Sequence, residues 1–272
     1  MSTLYISDLD ETLLHSDESI SDYTSSIINR IVQEGKCFSY ATARSIFTAS
    51  KVTNGLKTEF PVICHNGVFI VCNRTNKLLL SNFFTPLEIE YISAVLNAHG
   101  IYPVVYSYTD GKQRFSYIES YATPAMSHFL NSRIGDPRRY EAENIDMLYS
   151  GNIFCFVCMD TEDSLAKINN IVSADNRFDC IYSKDIYSGA QWCEIQPVKA
   201  TKANAALQLK AMLNCDKMVA FGDNRNDLSL FSVADEKYAV ANAVPELKEI
   251  ATAIIDSNNN DGVAKWLEKH LT

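Results

Sequence analysis

The 272-residue sequence has no basic block: 24 Lys and Arg stand against 33 Asp and Glu, for a net charge of −9. A chain of that balance is poorly suited to nucleic acid or an anionic membrane as its main partner, and neither is expected. No apolar run reaches the length that crosses a bilayer, and the N-terminus lacks the charged and apolar regions of a secretion signal. A soluble, cytoplasmic protein is the expectation. Zinc-site spacing is also missing. Phe154-Cys155-Phe156-Val157-Cys158 is formally C-x-x-C, but no second pair stands at the right distance, and strand alternation puts Cys155 and Cys158 on opposite faces. Most of the eight cysteines lie in apolar runs such as Ile63-Cys64, so reduced core thiols are expected. The five histidines form no metal-spaced pair and read as structural or surface groups. No repeat or low-complexity linker occurs. What is present is an ordinary apolar fraction, 47%, which suffices for a sizeable core.

Carboxylates placed at the ends of strands are also present. Leu4-Tyr5-Ile6 reads as a buried strand and runs into Asp8-Leu9-Asp10-Glu11-Thr12. Two carboxylates so close repel each other unless their roles are separated or a cation holds both. Asp is also a covalent nucleophile in aspartyl-phosphate chemistry. The plainer alternative is an Asp-rich turn that caps the next helix.

Along the chain, Ser21 can cap a helix over about 22–34 that Gly35 stops, and Cys37–Ala41 is a second strand. That strand ends in Thr42-Ala43-Arg44, where a helix is expected to start; a hydroxyl with backbone N–H groups there suits an anion. Pro61–Cys64 is a third strand, and 67–72 with 77–80 form a hairpin around Asn73-Arg74-Thr75-Asn76. Strands alternating with helices imply a parallel sheet. Near residue 83 the pattern changes. Thr85-Pro86-Leu87-Glu88 is a capping box with Pro at the first helical position. Strands over 102–108 and 114–119, a helix over 123–132, a strand over 153–159, a helix over 162–172 and strands near 178–182 and 186–188 follow. Two strands per helix suggests an inserted α+β unit over 83–188, with 1–82 plus 189–272 as the surrounding core. The flanking pattern is read as resuming at Trp192-Cys193-Glu194-Ile195. Thr201 then caps a helix with Lys202 in its first turn, where the helix dipole disfavours a cation. Lys217–Phe221 is a strand that breaks into Gly222-Asp223-Asn224-Arg225-Asn226-Asp227. A strand over 238–241, helices over 245–251 and 261–271 and a short strand over 253–255 complete the tail. The expected fold class is α/β, a doubly wound, mostly parallel Rossmann-like core with an inserted α+β domain.

If the strands are parallel, Asp8 and Asp10, Thr42, Lys202, and Asp223 and Asp227 all lie on one edge of the sheet. Asp oxygens suit Mg²⁺, and hydroxyl, backbone N–H and Lys suit a phosphate. At these positions the sequence resembles the haloacid dehalogenase superfamily of phosphohydrolases. Asp8-x-Asp10-x-Thr12, Thr42, Lys202 and Gly222-Asp223-x-x-Asn226-Asp227 match its four motifs in order. Asn66-Gly67, Ala241-Asn242-Ala243 and Asp261-Gly262-Val263-Ala264 resemble its Cof-type subgroup, and the insertion resembles the C2-type cap. The resemblance implies Mg²⁺-dependent hydrolysis of a small phosphorylated metabolite, a sugar phosphate or a phosphorylated cofactor, by a monomer or weak homo-oligomer. It implies Asp8 as nucleophile and Asp10 as acid and then base. Leu9, Thr42, Ala43, Lys202 and Asn226 would hold phosphate. Asp8, Asp10 (through its carbonyl) and Asp223 would hold Mg²⁺, with Asp227 orienting Lys202 or a metal water. Cap closure would exclude water and select the substrate. Departures are Ala43 and Ala203 where the family usually has Gly, and Glu11 at a variable position that is often Gly. A phosphotransferase or phosphomutase on the same fold is the near alternative, and a non-catalytic phosphometabolite-binding protein the distant one. Arg44 reads equally as a helper near the phosphate or a surface residue. Arg138 and Arg139 read as a solvated charge pair, and the alternating tyrosines 102, 106, 108, 117 and 121 as packing.

Overall fold

The computed structural model of the chain describes residues 2–57, 59–184 and 189–271. The chain divides into two compact units, Met1–Ser81 with Lys199–Thr272, and Asn82–Val198. The first segment carries β1 (Thr3–Ser7), α1 (Asp22–Gln33), β2 (Cys37–Tyr40), α2 (Ile46–Val52), β3 (Val62–Cys64), β4 (Phe69–Val71) and β5 (Leu78–Ser81). The inserted segment carries α3 (Pro86–Ala98), β6 (Val104–Thr109), β7 (Lys112–Tyr117), α4 (Pro124–Asn131) and β8 (Arg139–Glu141). It continues with α5 (Ile145–Leu148), β9 (Asn152–Asp160), α6 (Glu162–Ser173), β10 (Phe178–Lys184) and β11 (Gln191–Pro197). The last segment carries α7 (Lys202–Met212), β12 (Lys217–Gly222), α8 (Leu228–Val233), β13 (Glu236–Val240), α9 (Pro245–Ile250), β14 (Ala253–Ile255) and α10 (Gly262–Leu271). Among the described residues, no helix is long and apolar enough to cross a membrane.

In the first unit, β14-β13-β12-β1-β2 form a five-stranded sheet, and every neighbouring pair is parallel. The central strands are apolar on both faces, as a sheet covered by helices requires: Leu4, Ile6, Phe38, Ala220 and Phe221 are fully buried. α1 is capped by Ser21, whose hydroxyl accepts from Thr24 N–H at 2.9 Å, and it buries Ile27, Ile28 and Ile31. The strand order reverses direction between β1 and β12. In doubly wound sheets that is where the strand ends part and leave a crevice.

The second unit is a six-stranded sheet, β10-β11-β9-β6-β7-β8, antiparallel throughout except for the β7–β8 pair. One face packs on α3 and α6 through Ile92, Leu96, Val105, Phe156, Ile168 and Ile195. Thr85 and Glu88 make the expected capping box of α3. On the other face, Phe129 of α4 meets Phe115 and Trp192 edge-on.

Three expectations need correction. The strand at Trp192 does not resume the parallel core: β11 pairs antiparallel with both β9 and β10, and the division falls after Val198 rather than at 188. Its alternation explains this, since Cys193 and Ile195 are fully buried while Trp192 and Glu194, which precede them in turn, are not. The helix after Thr42 begins only at Ile46 and is capped by Ser45, because Thr42 and Arg44 form a turn of their own. The third strand touches the parallel sheet through a single bridge, Ala41 with Ile63, and otherwise forms a small antiparallel sheet with β4 and β5. β8 and α5, three and four residues long, are too short to show a period and were not expected. The strand expected over 186–188 lies outside the described residues. All eight cysteines are free thiols.

Candidate active site

Asp8 follows β1 and Asp223 follows β12. These strands are neighbours, with Ser7 beside Phe221, and Asp8 N–H extends the pairing by one bond to Phe221 O at 3.0 Å. Both carboxylates therefore sit at the crevice where the strand order reverses. After Asp8 the chain makes one wide turn over Leu9–Leu13, closed by Leu14 N–H on Leu9 O at 2.8 Å. The turn needs a left-handed residue, and Glu11 takes that conformation at φ 54°. Its carbonyl accepts from Asn242 Nδ2 at 2.7 Å, and its carboxylate from Ser16 Oγ at 2.8 Å and Asn258 Nδ2 at 3.1 Å.

Lys202, 1% exposed, lies between two carboxylates. Its Nζ donates to Asp8 Oδ1 at 2.6 Å and to Asp227 Oδ1 at 2.7 Å. The second oxygen of Asp227 accepts from Asp223 N–H at 3.0 Å and Asn224 N–H at 3.2 Å, so Asp227 is fully committed to holding the site together. Thr12 Oγ1 donates to Asp223 Oδ1 at 3.0 Å. Two glycines make room. Gly222 lies against the Asp227 side chain, where a Cβ would come within 2.7 Å. Gly67, at φ 114°, lets the backbone pass so close to Thr201 that a Cβ would stand 2.2 Å from the Thr201 carbonyl oxygen. The Asn66-Gly67 turn therefore fixes where the Lys202 helix begins.

Burial dominates the electrostatics. It pushes the Asp8 carboxyl well above the usual range; Lys202 opposes the shift, while Asp227 and Asp223 add to it. Burial, with Asp227 beside it, pushes Asp223 up to about 6, against the Thr12 hydrogen bond. Burial alone would depress Lys202, but Asp227 and Asp8 hold it above its ordinary value. Asp8, Asp223 and Asp227 bring carboxylate oxygens within 4.8 Å of one another, with one ammonium among them. Buried negative charge in excess of its counter-charge, presented by oxygen donors alone, fits a hard divalent cation.

The other expected residues lie around this cluster. Leu9 and Thr42 are fully buried, and Thr42 Oγ1 accepts from Arg44 N–H at 3.0 Å. Ala43 is exposed and outside the left-handed region, so its backbone N–H is available without glycine. Asn226 is exposed in the turn Arg225–Asp227. Asp10 does not join the cluster: its carboxylate lies on Arg44. Thr12, Arg44, Gly67 and Gly222 carry parts of the site that the sequence reading did not assign. Thr12, Gly67 and Gly222 stand inside quoted motifs, and Arg44 reads equally as a phosphate helper or a surface residue, which is the available signal. Arg138 is held by Asp136, and Arg139 donates to Tyr117 Oη at 2.6 Å, so both are spent within the second unit.

Comparison with known proteins gives the same outline. A family model described as haloacid dehalogenase-like hydrolase matches residues 5–267. A phosphoglycolate phosphatase of Sulfurisphaera tokodaii is 39% identical over 124 residues, 44% of this chain and 49% of that protein, so the match spans about half of it. A 5-amino-6-(5-phospho-D-ribitylamino)uracil phosphatase of Bacillus subtilis is 28% identical across 97% of this chain and 96% of its own. A solved structure from Thermotoga maritima superposes with a TM-score of 0.79 at 24% identity, covering 100% of this chain and 98% of that one.

Proposed function

The chain belongs to the haloacid dehalogenase-like hydrolases, and from that premise we propose that it is a phosphatase that cleaves small phosphomonoesters through an aspartyl-phosphate. The observation that carries this reading is the buried Asp8–Lys202–Asp227 group with Asp223 beside it, at the point where the strand order reverses. A site that only bound phosphate would need the cation but not a nucleophilic carboxylate held against it.

In the first step an oxygen of Asp8 attacks phosphorus, the bond to the leaving oxygen breaks, and Asp10 gives that oxygen its proton. In the second step a water oxygen attacks phosphorus, Asp10 takes the water's proton, and the bond to Asp8 breaks to release phosphate. Lys202, the Thr42 hydroxyl and the backbone N–H groups of Leu9 and Ala43 hold the phosphoryl oxygens while charge builds on them. Asn226 is assigned to the same phosphate. Asp227 keeps Lys202 aimed. Asp8, the Asp10 carbonyl and Asp223 would hold Mg²⁺, which when bound neutralises phosphoryl charge. The choice of substrate is assigned to the inserted unit. Relatives named for phosphoglycolate and for a phosphorylated ribityl compound support a small alkyl phosphate as the substrate class.

The test is phosphate release from a panel of phosphomonoesters with Mg²⁺ and with chelator, comparing wild type and Asp8→Asn. Mg²⁺-dependent release that is lost in Asp8→Asn is the expected result. Release that survives Asp8→Asn would move the nucleophile elsewhere. Transfer to an added alcohol without free phosphate would make the protein a phosphotransferase.

A further inference from the structure

Asp10 differs from the other carboxylates of the site. It sits in extended conformation just before the left-handed Glu11, its side chain is 42% exposed, and it is not among the oxygens that surround Lys202. An exposed side chain on a turn ordinarily samples several rotamers. Here one guanidinium holds both oxygens: Arg44 Nε reaches Oδ1 at 2.9 Å and Oδ2 at 3.0 Å, and Nη2 also donates to Oδ1. Arg44 is itself fixed. Its backbone N–H is on Thr42 Oγ1 at 3.0 Å, its carbonyl accepts from His65 N–H at 3.1 Å, and Nη2 pairs with Glu18 at 3.1 Å. Its side chain, 19% exposed, is the most buried of the three charged partners.

We propose that Arg44 is a positioning residue for Asp10, setting the carboxylate relative to the phosphate-holding turn at Thr42. This rests on the assignment of Asp10 as acid and base. One residue spans both parts, with its backbone bonded to the Thr42 hydroxyl and its side chain forked onto Asp10. An ordinary exposed ion pair contributes little to stability. A bidentate fork instead fixes direction, and proton transfer depends on direction. Lys cannot reproduce the fork, because its ammonium is a point donor on a flexible stem.

The reading predicts an effect that depends on the leaving group. An alkyl phosphate needs a proton from Asp10 as its P–O bond breaks, whereas the p-nitrophenolate of p-nitrophenyl phosphate leaves without one. The experiment compares kcat/KM for p-nitrophenyl phosphate with that for the alkyl phosphate wild type cleaves fastest, using Arg44→Met, Arg44→Lys and Asp10→Asn. kcat/KM covers substrate binding and the first phosphoryl transfer and excludes hydrolysis of the intermediate. Arg44→Met is expected to lower the alkyl value about 10- to 100-fold, a fraction of what a general acid contributes, and the aryl value at least about tenfold less. Arg44→Lys is expected to fall between wild type and Arg44→Met, and it serves as the folded reference if the Met variant is unstable. Asp10→Asn should show the same split, larger. If Asp10→Asn splits the substrates but the Arg44 variants lower both equally, or neither, the positioning role is wrong while the Asp10 assignment stands. If Asp10→Asn shows no split, the Asp10 assignment fails and the role of Arg44 falls with it.

Discussion

Lys202 shows what a buried charge requires. It is accommodated because carboxylates meet it, Asp8 at 2.6 Å and Asp227 at 2.7 Å, and with Asp223 close by their negative charge exceeds its own. Removing one partner of a buried ion pair leaves uncompensated charge, so Lys202→Met should destabilise the metal-free protein by about 3 kcal/mol in urea unfolding, besides abolishing turnover. Asp8→Asn acts the other way. It removes one of several crowded carboxylates, so its metal-free thermal midpoint should equal or exceed that of wild type although phosphate release is expected to be lost. Asp223 sets a pH window. Its folded-state value, about 6, lies above the ordinary 3.8. The protonated group therefore supports the metal-free fold below about pH 4, and that support is lost as the pH rises through about 6. A cation binds the ionised form, so the rise in melting temperature caused by Mg²⁺ should grow between pH 5 and pH 7. Melts with Mg²⁺ or EDTA at three pH values check this, and a rise independent of pH would place the metal elsewhere.

At the scale of elements, short turns hold the site. The β3–β4 turn presses Gly67 against Thr201, one residue before the helix that carries Lys202. Gly67→Ala would force a 2.2 Å contact with a carbonyl oxygen at a left-handed position. It should shift the start of α7 and cost about a hundredfold in kcat, as misplaced catalytic groups do. Glu11 is the opposite case. Its left-handed strain is offset by ties to Ser16 and Asn258, so Glu11→Gly trades one for the other and should change unfolding stability by no more than about 1 kcal/mol. The helix at Thr42 began three residues later than its sequence suggested. A Thr whose hydroxyl accepts a bond two residues on makes a turn as readily as a cap, and local sequence does not distinguish them.

At the scale of the whole molecule, the units share no sheet among the described residues: the five- and three-stranded sheets lie in the first and the six-stranded sheet in the second. Residues 82–198 expressed alone should melt cooperatively with a β-rich circular dichroism spectrum and release no phosphate, since Asp8, Lys202 and Asp223 all lie outside them.

The sequence by itself determined the α/β character, the inserted unit, the strand ends at Asp8 and Asp223, and Lys202 as a cation at an unfavourable helix start. These are local signals: apolar runs, turn residues and spacing within one stretch. The tertiary structure decided the rest, because the deciding contacts join residues far apart in the chain. Only pairing between strands shows that Gln191–Pro197 belongs to the antiparallel sheet, although the alternation around Glu194 hinted at it. Only packing shows that Gly67 meets Thr201 and that Arg44 holds Asp10 across 34 residues. A hydrogen bond has no range along the sequence, only through space.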